Sequence, residues 1–400
     1  MISRRKFFTK SSLGSLALIA GASSSNAKNK DSATDTKLQF STSFPVVMAP
    51  RHDGCEIIWS VTKLSKGHIE YGTTKELGSK ASNDGWGLRP AGDKVIKIRI
   101  DGLKPGTKYF YKAVTESFDT KNPNPKDSAV YSFRTLDPKS DNCSFSVWND
   151  THKHKDTLDK LSDITKPCDF LLWNGDICND WHNEQDVINT LLKPADGLTM
   201  SINHPLFLVR GNHDIRGAYA TKLQEYCAMP EGKPWYAFKQ GPVAAICLDT
   251  GEDKSDDNPY LFGRVACEPM RQEQAEWLAK IIETPEFKDA PYRVVFCHIP
   301  LRWTNETAER SYDSYSGRSR DLWHDSFVKW GAQTIISGHM HQDALIQSNA
   351  EFPYAQLVGG GPKINSATLI EGKADKDKLH ITCKNLEGKT LHELSLKPVQ

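Results

Sequence analysis

Several features are scarce or missing in this 400-residue chain, and each absence excludes a class of protein. Its cysteines show no paired spacing and no C-x-x-C motif, which argues against a thiol-based metal site or a dense disulfide framework. Most of them fall within apolar stretches, so we expect mainly buried thiols, although an exported protein could also form disulfides. The nine are Cys55, Cys143, Cys168, Cys178, Cys227, Cys247, Cys267, Cys297 and Cys383.

Long apolar runs and a strong net charge are also missing. No segment after the N-terminal region has the ~18 or more apolar residues that a membrane span requires. The formal net charge is +1, which argues against a general nucleic-acid-binding surface. There is no internal repeat. We therefore expect no membrane span in the mature chain and no nucleic-acid-binding surface; the oligomeric state stays open.

The N-terminus resembles a twin-arginine export signal. Arg4 and Arg5 precede a modest apolar run over 11–22, and the small residues Ser25 and Ala27 follow at the positions that a signal peptidase reads. We expect residues 1–27 to be a signal peptide and the mature protein to be exported to a bacterial periplasm. Removing four positive charges and no acid takes the net charge from +1 to −3. The first cysteine, Cys55, lies far behind the apolar run, which argues against a lipid anchor.

Short alternating strands separated by turn residues are predicted over 38–136. This pattern resembles a fibronectin type III sandwich. Trp59 would be its core tryptophan, and Tyr109 stands where the tyrosine-corner residue would be. Residues 137–141 would link it to the rest of the chain.

Apolar strands alternate with helical patterns in the second domain, predicted over 142–400, which indicates an α/β fold. The helices are predicted over 157–164, 184–192, 218–226 and 271–282, and antiparallel strands in the tail.

Five of the apolar runs end in Asp, Asn or His. Strands that stop in such turns hold polar groups at the rim of a core, and this set of side chains is typical of metal ligands. The five segments are Asp150-Thr151-His152, Gly175-Asp176, Gly211-Asn212-His213-Asp214, His298, and Gly338-His339-Met340-His341.

These five segments together resemble the calcineurin-like metallophosphoesterase superfamily, across nearly all of 142–366. The resemblance implies an α/β fold with a central β-sandwich flanked by helices, and two metals. Asp150, His152 and His341 would bind the first metal, and Asn212, His298 and His339 the second. Asp176 would bridge both, since two neighbouring cations require an anionic bridge. His213 would be a catalytic residue that protonates or steadies the leaving group, with Asp214 orienting its ring. Asp214 could instead simply cap the following helix.

The resemblance implies hydrolysis of phosphate monoesters by a metal-activated hydroxide. A phosphodiesterase acting on nucleotides or glycerophosphodiesters is one alternative, and a non-catalytic, metal-stabilised binding protein is another. The ligand set favours Fe, Zn or Mn over Mg or Ca. The expected partner is a small-molecule phosphate ester.

A fibronectin-like domain ahead of such a domain resembles the layout of purple acid phosphatases. Those enzymes have a tyrosine ligand three residues after the bridging aspartate, where this chain has Asn179. They also lack a ligand equivalent to His152, which can take the place of the tyrosine. We therefore expect no tyrosinate-to-iron colour.

Substrate contacts are less well marked in the sequence. His182, Arg210 and Arg302 are the candidates, each weighed against an ordinary surface role. The polar insert over 304–320 could cover the metals as a lid.

Overall fold

The computed structural model describes residues 43–118, 125–193, 204–307 and 314–399. Its strands are β1 (Val46–Met48), β2 (Gly54–Ser60), β3 (Ser65–Gly72), β4 (Ser79–Ala81), β5 (Ala91–Gly92), β6 (Val95–Asp101), β7 (Lys108–Ser117), β8 (Lys126–Asp127), β9 (Tyr131–Arg134), β10 (Cys143–Trp148), β11 (Phe170–Asn174), β12 (Leu206–Val209), β13 (Tyr236–Gln240), β14 (Val243–Leu248), β15 (Tyr292–Cys297), β16 (Thr334–Ser337), β17 (Ala344–Ile346), β18 (Ala355–Val358), β19 (Thr368–Ala374), β20 (Leu379–Asn385) and β21 (Thr390–Leu396). Its α-helices are α1 (Lys155–Ile164), α2 (Glu184–Val187), α3 (Leu223–Tyr226), α4 (Cys267–Ile281), α5 (Pro285–Lys288) and α6 (Gly317–Trp330).

The N-terminal part of the described chain is a β-sandwich. Strands β1, β2 and β6 form one side, and the other is a sheet in the order β4-β3-β7-β8, with β5 and β9 pairing with β3 and β7. Trp59 and Tyr111 are fully buried between the two sides. The hydroxyl of Tyr109 accepts a hydrogen bond from the backbone N–H of Lys104 at 3.0 Å, the contact that defines a tyrosine corner. This is the fibronectin-like architecture that the sequence predicted.

Two sheets pack face to face in the rest of the chain, and the larger one continues into β1, β2 and β6. In the larger one β10, β11 and β12 are parallel, with the tail strands β19, β20 and β21 added antiparallel beside β10. The other has the order β13-β14-β15-β16-β18-β17, and β14, β15, β16 and β18 run parallel. Aromatic rings fill the space between them: Phe145 meets Phe296 edge-on at 5.8 Å, and Phe170 meets Phe238 at 4.9 Å. The predicted α/β fold with a central sandwich is confirmed.

Strand β1 joins the N-terminal sandwich to the sheet that contains β10, β11 and β12. It pairs antiparallel with β2 and parallel with β12, with Met48 opposite Leu206. The backbone N–H of Ala49 also donates to the Leu206 carbonyl at 3.0 Å. Nine strands therefore form one continuous sheet, and the N-terminal sandwich supports the strand that leads directly into Gly211-Asn212-His213. The sequence, with its linker at 137–141, did not predict this shared sheet.

The predicted helices are present with shifted bounds, and two helices, the short α5 and the longer α6, were missed. The segment predicted over 184–192 is α2 followed by a π-helical turn, Ile188–Leu192. The interpretation of 304–320 as a polar insert was wrong for its last part, because α6 begins at Gly317. Trp323, Phe327 and Trp330 bury one face of α6, and the Ser316 side chain caps its first turn.

Some predictions fall on residues outside the described ranges. These are the export signal over 1–27 and residues 308–313 of the insert. All nine cysteines are described and none is bonded to another; eight are buried and Cys168 is half-buried. Within the described ranges no helix is long and apolar enough to cross a membrane.

Candidate metal centre

The carboxyl ends of five parallel strands bring the candidate ligands together. The registers Trp148↔Trp173 and Trp173↔Leu208 align β10, β11 and β12, so the loops that bear Asp150, Asp176 and Asn212 leave the same edge of the larger sheet. Strands β15 and β16 of the facing sheet end directly before His298 and Gly338. The Asn174 side chain ties the two sheets together here, donating to the backbone carbonyls of Cys297 at 3.2 Å and Ile336 at 3.1 Å.

The backbone at the ligands adopts a conformation that residues other than glycine rarely take. Five candidate ligands have a left-handed φ: Asp150 (50°), His152 (43°), Asp176 (48°), His339 (72°) and His341 (54°). Each residue in this conformation lowers the stability of the fold by about 1–3 kcal/mol. Such residues cluster at functional sites, where the surrounding structure holds them in place. Hydrogen bonds provide that support here. The N–H of His339 donates to both oxygens of Asp150 at 2.8 and 3.0 Å, and the N–H of His213 donates to Oδ1 of Asp176 at 2.9 Å.

Two motif glycines are required by close approach. A Cβ at Gly211 would lie 2.2 Å from Oδ1 of Asp176, and one at Gly338 would lie 2.1 Å from Oδ2 of Asp150. Real Cβ atoms do not come this close to a carboxylate. The glycine in each motif therefore makes room for a carboxylate that comes from another strand.

The donor atoms form two sets that share Asp176. In the first set, Nε2 of His152 lies 3.0 Å from Nε2 of His341, which is 3.5 Å from Oδ1 of Asp150. In the second set, Nε2 of His298 lies 3.2 Å from Oδ2 of Asp176. The same Asp176 oxygen is 3.4 Å from Nε2 of His152, so it faces both sets.

Asn212 and His339 complete the second set. Oδ1 of Asn212 is 3.0 Å from Nδ1 of His339, and donor atoms of Asp176, His298 and His339 all lie within 4.8 Å of one another. The structure thus brings all seven predicted ligands together around one centre.

The residues fit a pair of cations. Nδ1 of His298 is 2.9 Å from the carbonyl of Asn174, and its buried Nε2 faces Oδ2 of Asp176 at 3.2 Å without the geometry of a hydrogen bond. A buried polar atom without a partner is costly, and a metal ion would satisfy it. Two buried carboxylates, Asp150 and Asp176, face the same space, and buried charges of one sign require a compensating cation.

The pKa values around the centre agree with this interpretation. Burial raises the pKa of Asp150 to about 7, with the nearby Asp176 charge adding to the effect. Burial would lower the pKa of His298, but the Asp176 and Asp150 carboxylates raise it to about 10. Burial lowers the pKa of His152 to about 4, so this imidazole is neutral near pH 7, as metal binding requires. The centre therefore attracts positive charge, which a proton or a metal ion can supply.

His213 lies beside the metal ligands and is paired with a carboxylate that the sequence did not indicate. Its Nδ1 is 2.8 Å from Oδ1 of Asp180, and its ring is 5.0 Å from the ring of His152. Burial would lower the pKa of His213, but the hydrogen bond to Asp180 and the charge of Asp176 raise it above its usual value.

The prediction that Asp214 orients the His213 ring was wrong. The Asp214 carboxylate is fully buried and accepts hydrogen bonds from the backbone N–H groups of Gly211 at 2.8 Å and Ile177 at 3.1 Å. Both amides belong to ligand loops, so Asp214 holds two of these loops together instead.

Arg216 is a second group near His213 that the sequence analysis missed. Its NH1 lies 3.3 Å from Nε2 of His213, and its other nitrogens bind Glu252 and Asp253, the latter at 2.8 Å. Arg216 and Glu252 are both buried. The one feature of the sequence that could have indicated a role for Arg216 is its position three residues after His213.

Two of the three candidate substrate residues are engaged elsewhere. Arg210 forms an ion pair with the buried Asp249 at 2.6 Å. Arg302 is buried, donates to the carbonyls of Gln347 at 3.1 Å and Tyr354 at 3.3 Å, and stacks on Phe352. The predictions for both were wrong, because these side chains connect elements of the fold.

His182 is exposed and lines a cavity together with Asp180 and Arg216. It therefore remains a candidate substrate contact.

Comparison with known proteins agrees with the geometry. Residues 145–343 match the family described as calcineurin-like phosphoesterase. The chain is 27% identical over 201 residues to the serine/threonine-protein phosphatase CPPED1 of Rattus norvegicus, an alignment that covers 48% of this chain and 59% of the relative. The chain thus spans somewhat more than half the length of that curated relative.

Two solved structures share the fold over most of the chain. A purple acid phosphatase, PPD1, from yellow lupin (Lupinus luteus) seeds superposes with a TM-score of 0.67 and 13% identity, covering 88% of this chain and 74% of its own. PhoD superposes with a TM-score of 0.63 and 13% identity, covering 89% of this chain and 90% of its own. Family match, fold and ligand geometry agree: residues 145–343 of this chain are a calcineurin-like phosphoesterase domain.

Proposed function

We propose that this protein is a metal-dependent phosphoric ester hydrolase that acts on phosphate monoesters. The observation that supports this most directly is the convergence of seven oxygen and nitrogen donors in two sets that share Asp176. The names of the relatives point the same way, since the CPPED1 proteins and the lupin protein are named as phosphatases. We extend that activity to this chain as part of the proposal.

Seven side chains would hold the two metal ions: Asp150, His152 and His341 the first, Asn212, His298 and His339 the second, with Asp176 between them. Bound there, the metals would supply Lewis-acid stabilisation of the phosphoryl oxygens and a water of lowered pKa. The donor set of carboxylate, imidazole and amide fits Fe, Zn or Mn.

His213 is the proton donor to the leaving group in this proposal. Its Nδ1 is held by Asp180, which fixes the ring and leaves Nε2 to deliver a proton to the ester oxygen. The charge of Arg216 beside Nε2 favours release of that proton. Asp180 in turn stabilises the protonated ring before transfer.

Hydrolysis assays on the metal-loaded protein test the proposal. Fe, Zn and Mn would be supplied separately, bound metal measured by elemental analysis, and phenyl phosphate compared with the diester methyl phenyl phosphate. We expect two metals per chain and a higher kcat/KM for the monoester. Faster hydrolysis of the diester would contradict the monoesterase proposal and support a phosphodiesterase. No hydrolysis with both metals bound would support a non-catalytic, metal-stabilised binding protein.

A histidine variant tests the assigned chemistry. His213→Ala is expected to lower kcat by about 100-fold or more, the range for loss of a general acid, with the metal content unchanged. His380→Ala is the matched control, because His380 also faces a carboxylate, Glu393, and its side chain is 31% exposed against 30% for His213. Equal activities of the two variants would contradict the role of His213.

We propose further that the protein is exported to a bacterial periplasm by the twin-arginine route. The support is the sequence of residues 1–27, with Arg4 and Arg5 ahead of the apolar run. Replacing both arginines by lysine in the full chain should move the protein from the periplasmic to the cytoplasmic fraction. An unchanged distribution would contradict this route.

A further inference from the structure

A cavity of about 310 Å³ opens next to His213. Its walls include Asp180, His182, Arg216, Tyr260, Phe262 and Arg264. The volume is at the lower end of the range for small-molecule sites, so it suits a single-ring compound.

The position of the cavity relates it to the leaving group of the ester. The ring of His213 lies 5.0 Å from the ring of the metal ligand His152, and Asp180 and Arg216 contact its two nitrogens. Both of those residues also line the cavity. A leaving-group oxygen protonated by His213 would therefore have its organic part directed into this space.

Two exposed aromatic rings form one wall. Tyr260 is 54% exposed and Phe262 is 74% exposed, and both lie in the segment between β14 and α4. The backbone that carries both rings has a defined conformation. The Asn258 side chain accepts a hydrogen bond from the N–H of Tyr260 at 3.0 Å, and Phe262 has a left-handed φ of 52°. Exposed aromatic rings that line a cavity are typical of a binding surface for another ring.

The cations around the rings differ in how far they are neutralised. Arg216 lies 5.5 Å from the centre of the Tyr260 ring, but Glu252 and Asp253 balance its charge. Arg264 lies 5.1 Å from the centre of the Phe262 ring and has no carboxylate within 4.0 Å in the part of the chain that the structure describes. Arg264 is therefore a cation of the cavity wall that no carboxylate of the described residues contacts, and an anionic group on the ligand can pair with it.

We propose that this cavity is the leaving-group subsite and that it selects an aromatic ring bearing an anionic substituent. The ring stacks on Tyr260 and Phe262, and the anionic substituent faces Arg264. This subsite rests on the proposed hydrolysis of phosphate esters, because that function places the scissile oxygen beside His213.

Binding of phosphonates tests the subsite without depending on turnover. Benzylphosphonate resembles phenyl phosphate with a methylene group in place of the ester oxygen, and ethylphosphonate has no ring. Titration calorimetry on the metal-loaded protein should give tighter binding of benzylphosphonate, and tighter binding still of 4-carboxybenzylphosphonate. The double variant Tyr260→Leu, Phe262→Leu should reduce the benzyl-to-ethyl affinity ratio by about two- to tenfold, the range for one aromatic pair.

Two controls separate this effect from general damage. Trp86→Leu removes another fully exposed aromatic ring, on the N-terminal sandwich, and should leave the ratio unchanged. Arg264→Gln should abolish the advantage of the carboxylated ligand and keep that of the unsubstituted ring. A benzyl-to-ethyl ratio that is near one in the wild type, or unchanged in the double variant, overturns the subsite. If the ratio behaves as expected and phenyl phosphate is not hydrolysed, the subsite stands and the proposed hydrolysis fails.

Discussion

Replacing Asp180 by asparagine would test the pairing of Asp180 with His213, which the sequence did not indicate. Asp180→Asn keeps the size of the side chain and removes the charge that faces Nδ1 of His213 at 2.8 Å. A hydrogen bond to a charged group contributes about 1.5–3 kcal/mol. Because both side chains are partly exposed, at 30% for His213 and 18% for Asp180, we take the lower end, about 1.5–2 kcal/mol. That corresponds to a decrease in kcat of about 10- to 30-fold.

Two assays distinguish this role from general destabilisation. The first compares phenyl phosphate with 4-nitrophenyl phosphate, whose better leaving group needs less protonation, so the loss in Asp180→Asn should be larger for phenyl phosphate. The second is the pH dependence of kcat. His213 must be protonated to act as an acid, and Asp180 raises its pKa. The decline of kcat at high pH should therefore move to lower pH in the variant.

Asp214→Asn serves as the comparison, because the Asp214 carboxylate binds backbone amides and not the His213 ring. It should lower the Tm and leave the position of the high-pH decline unchanged. Equal losses of Asp180→Asn on both esters, or a shift of the decline in Asp214→Asn alone, would refute the assignment of Asp180.

Three further predictions concern other parts of the molecule. Gly338→Ala should weaken metal binding by about 10- to 100-fold, since the new Cβ would lie 2.1 Å from an oxygen of Asp150; elemental analysis after dialysis measures this, and full retention of two metals would contradict it. Arg216→Met should lower the free energy of unfolding by about 3–5 kcal/mol, because it leaves the buried charge of Glu252 without its partner; urea denaturation measures this, and a loss below about 1 kcal/mol would count against it. Burial lowers the pKa of His204 to about 4 from 6.5, so the unfolded chain takes up a proton first and stability falls by about 3 kcal/mol as the pH drops from 6.5 towards 4. His204→Gln should remove that part of the pH dependence, and identical slopes in the two proteins would show that His204 is not its source.

Much of the candidate site was predictable because its signals are local. A run such as Leu171-Leu172-Trp173 followed by Gly175-Asp176 indicates a buried strand that ends in a polar turn, and parallel strands place such turns at one edge. The same holds for Val294-Val295-Phe296 before His298. The seven predicted ligands meet for this reason.

Contacts that depend on side-chain direction were not predictable in this way. Asp214 stands next to His213 in the chain, yet Asp180, 33 residues earlier, holds the ring. Asp180 has a left-handed φ of 65°, which redirects its side chain, and no pattern of residue types indicates that. Arg210 and Arg302 look like free cations in the sequence, but acceptors that are distant in the chain bind them.

The sequence analysis omitted helix α6, which it could have predicted, and the pairing of β1 with β12, which it could not. The apolar residues Trp323, Phe327 and Trp330 have helical spacing behind Ser316, so α6 was readable from the sequence. The pairing of β1 with β12 was not, because a strand only three residues long has no periodicity that identifies its partner, and Met48 and Leu206 are far apart in the chain.

The amino-acid sequence alone was enough to indicate the strand ends, the ligand types and the two-part architecture. Each of these follows from residues that are close together in the chain. The packing of the sheets decided which carboxylate holds His213, which arginines are occupied, and how the N-terminal sandwich supports β12. Those outcomes depend on distances between atoms that are remote in the chain, and such distances exist only once the core between the sheets has formed.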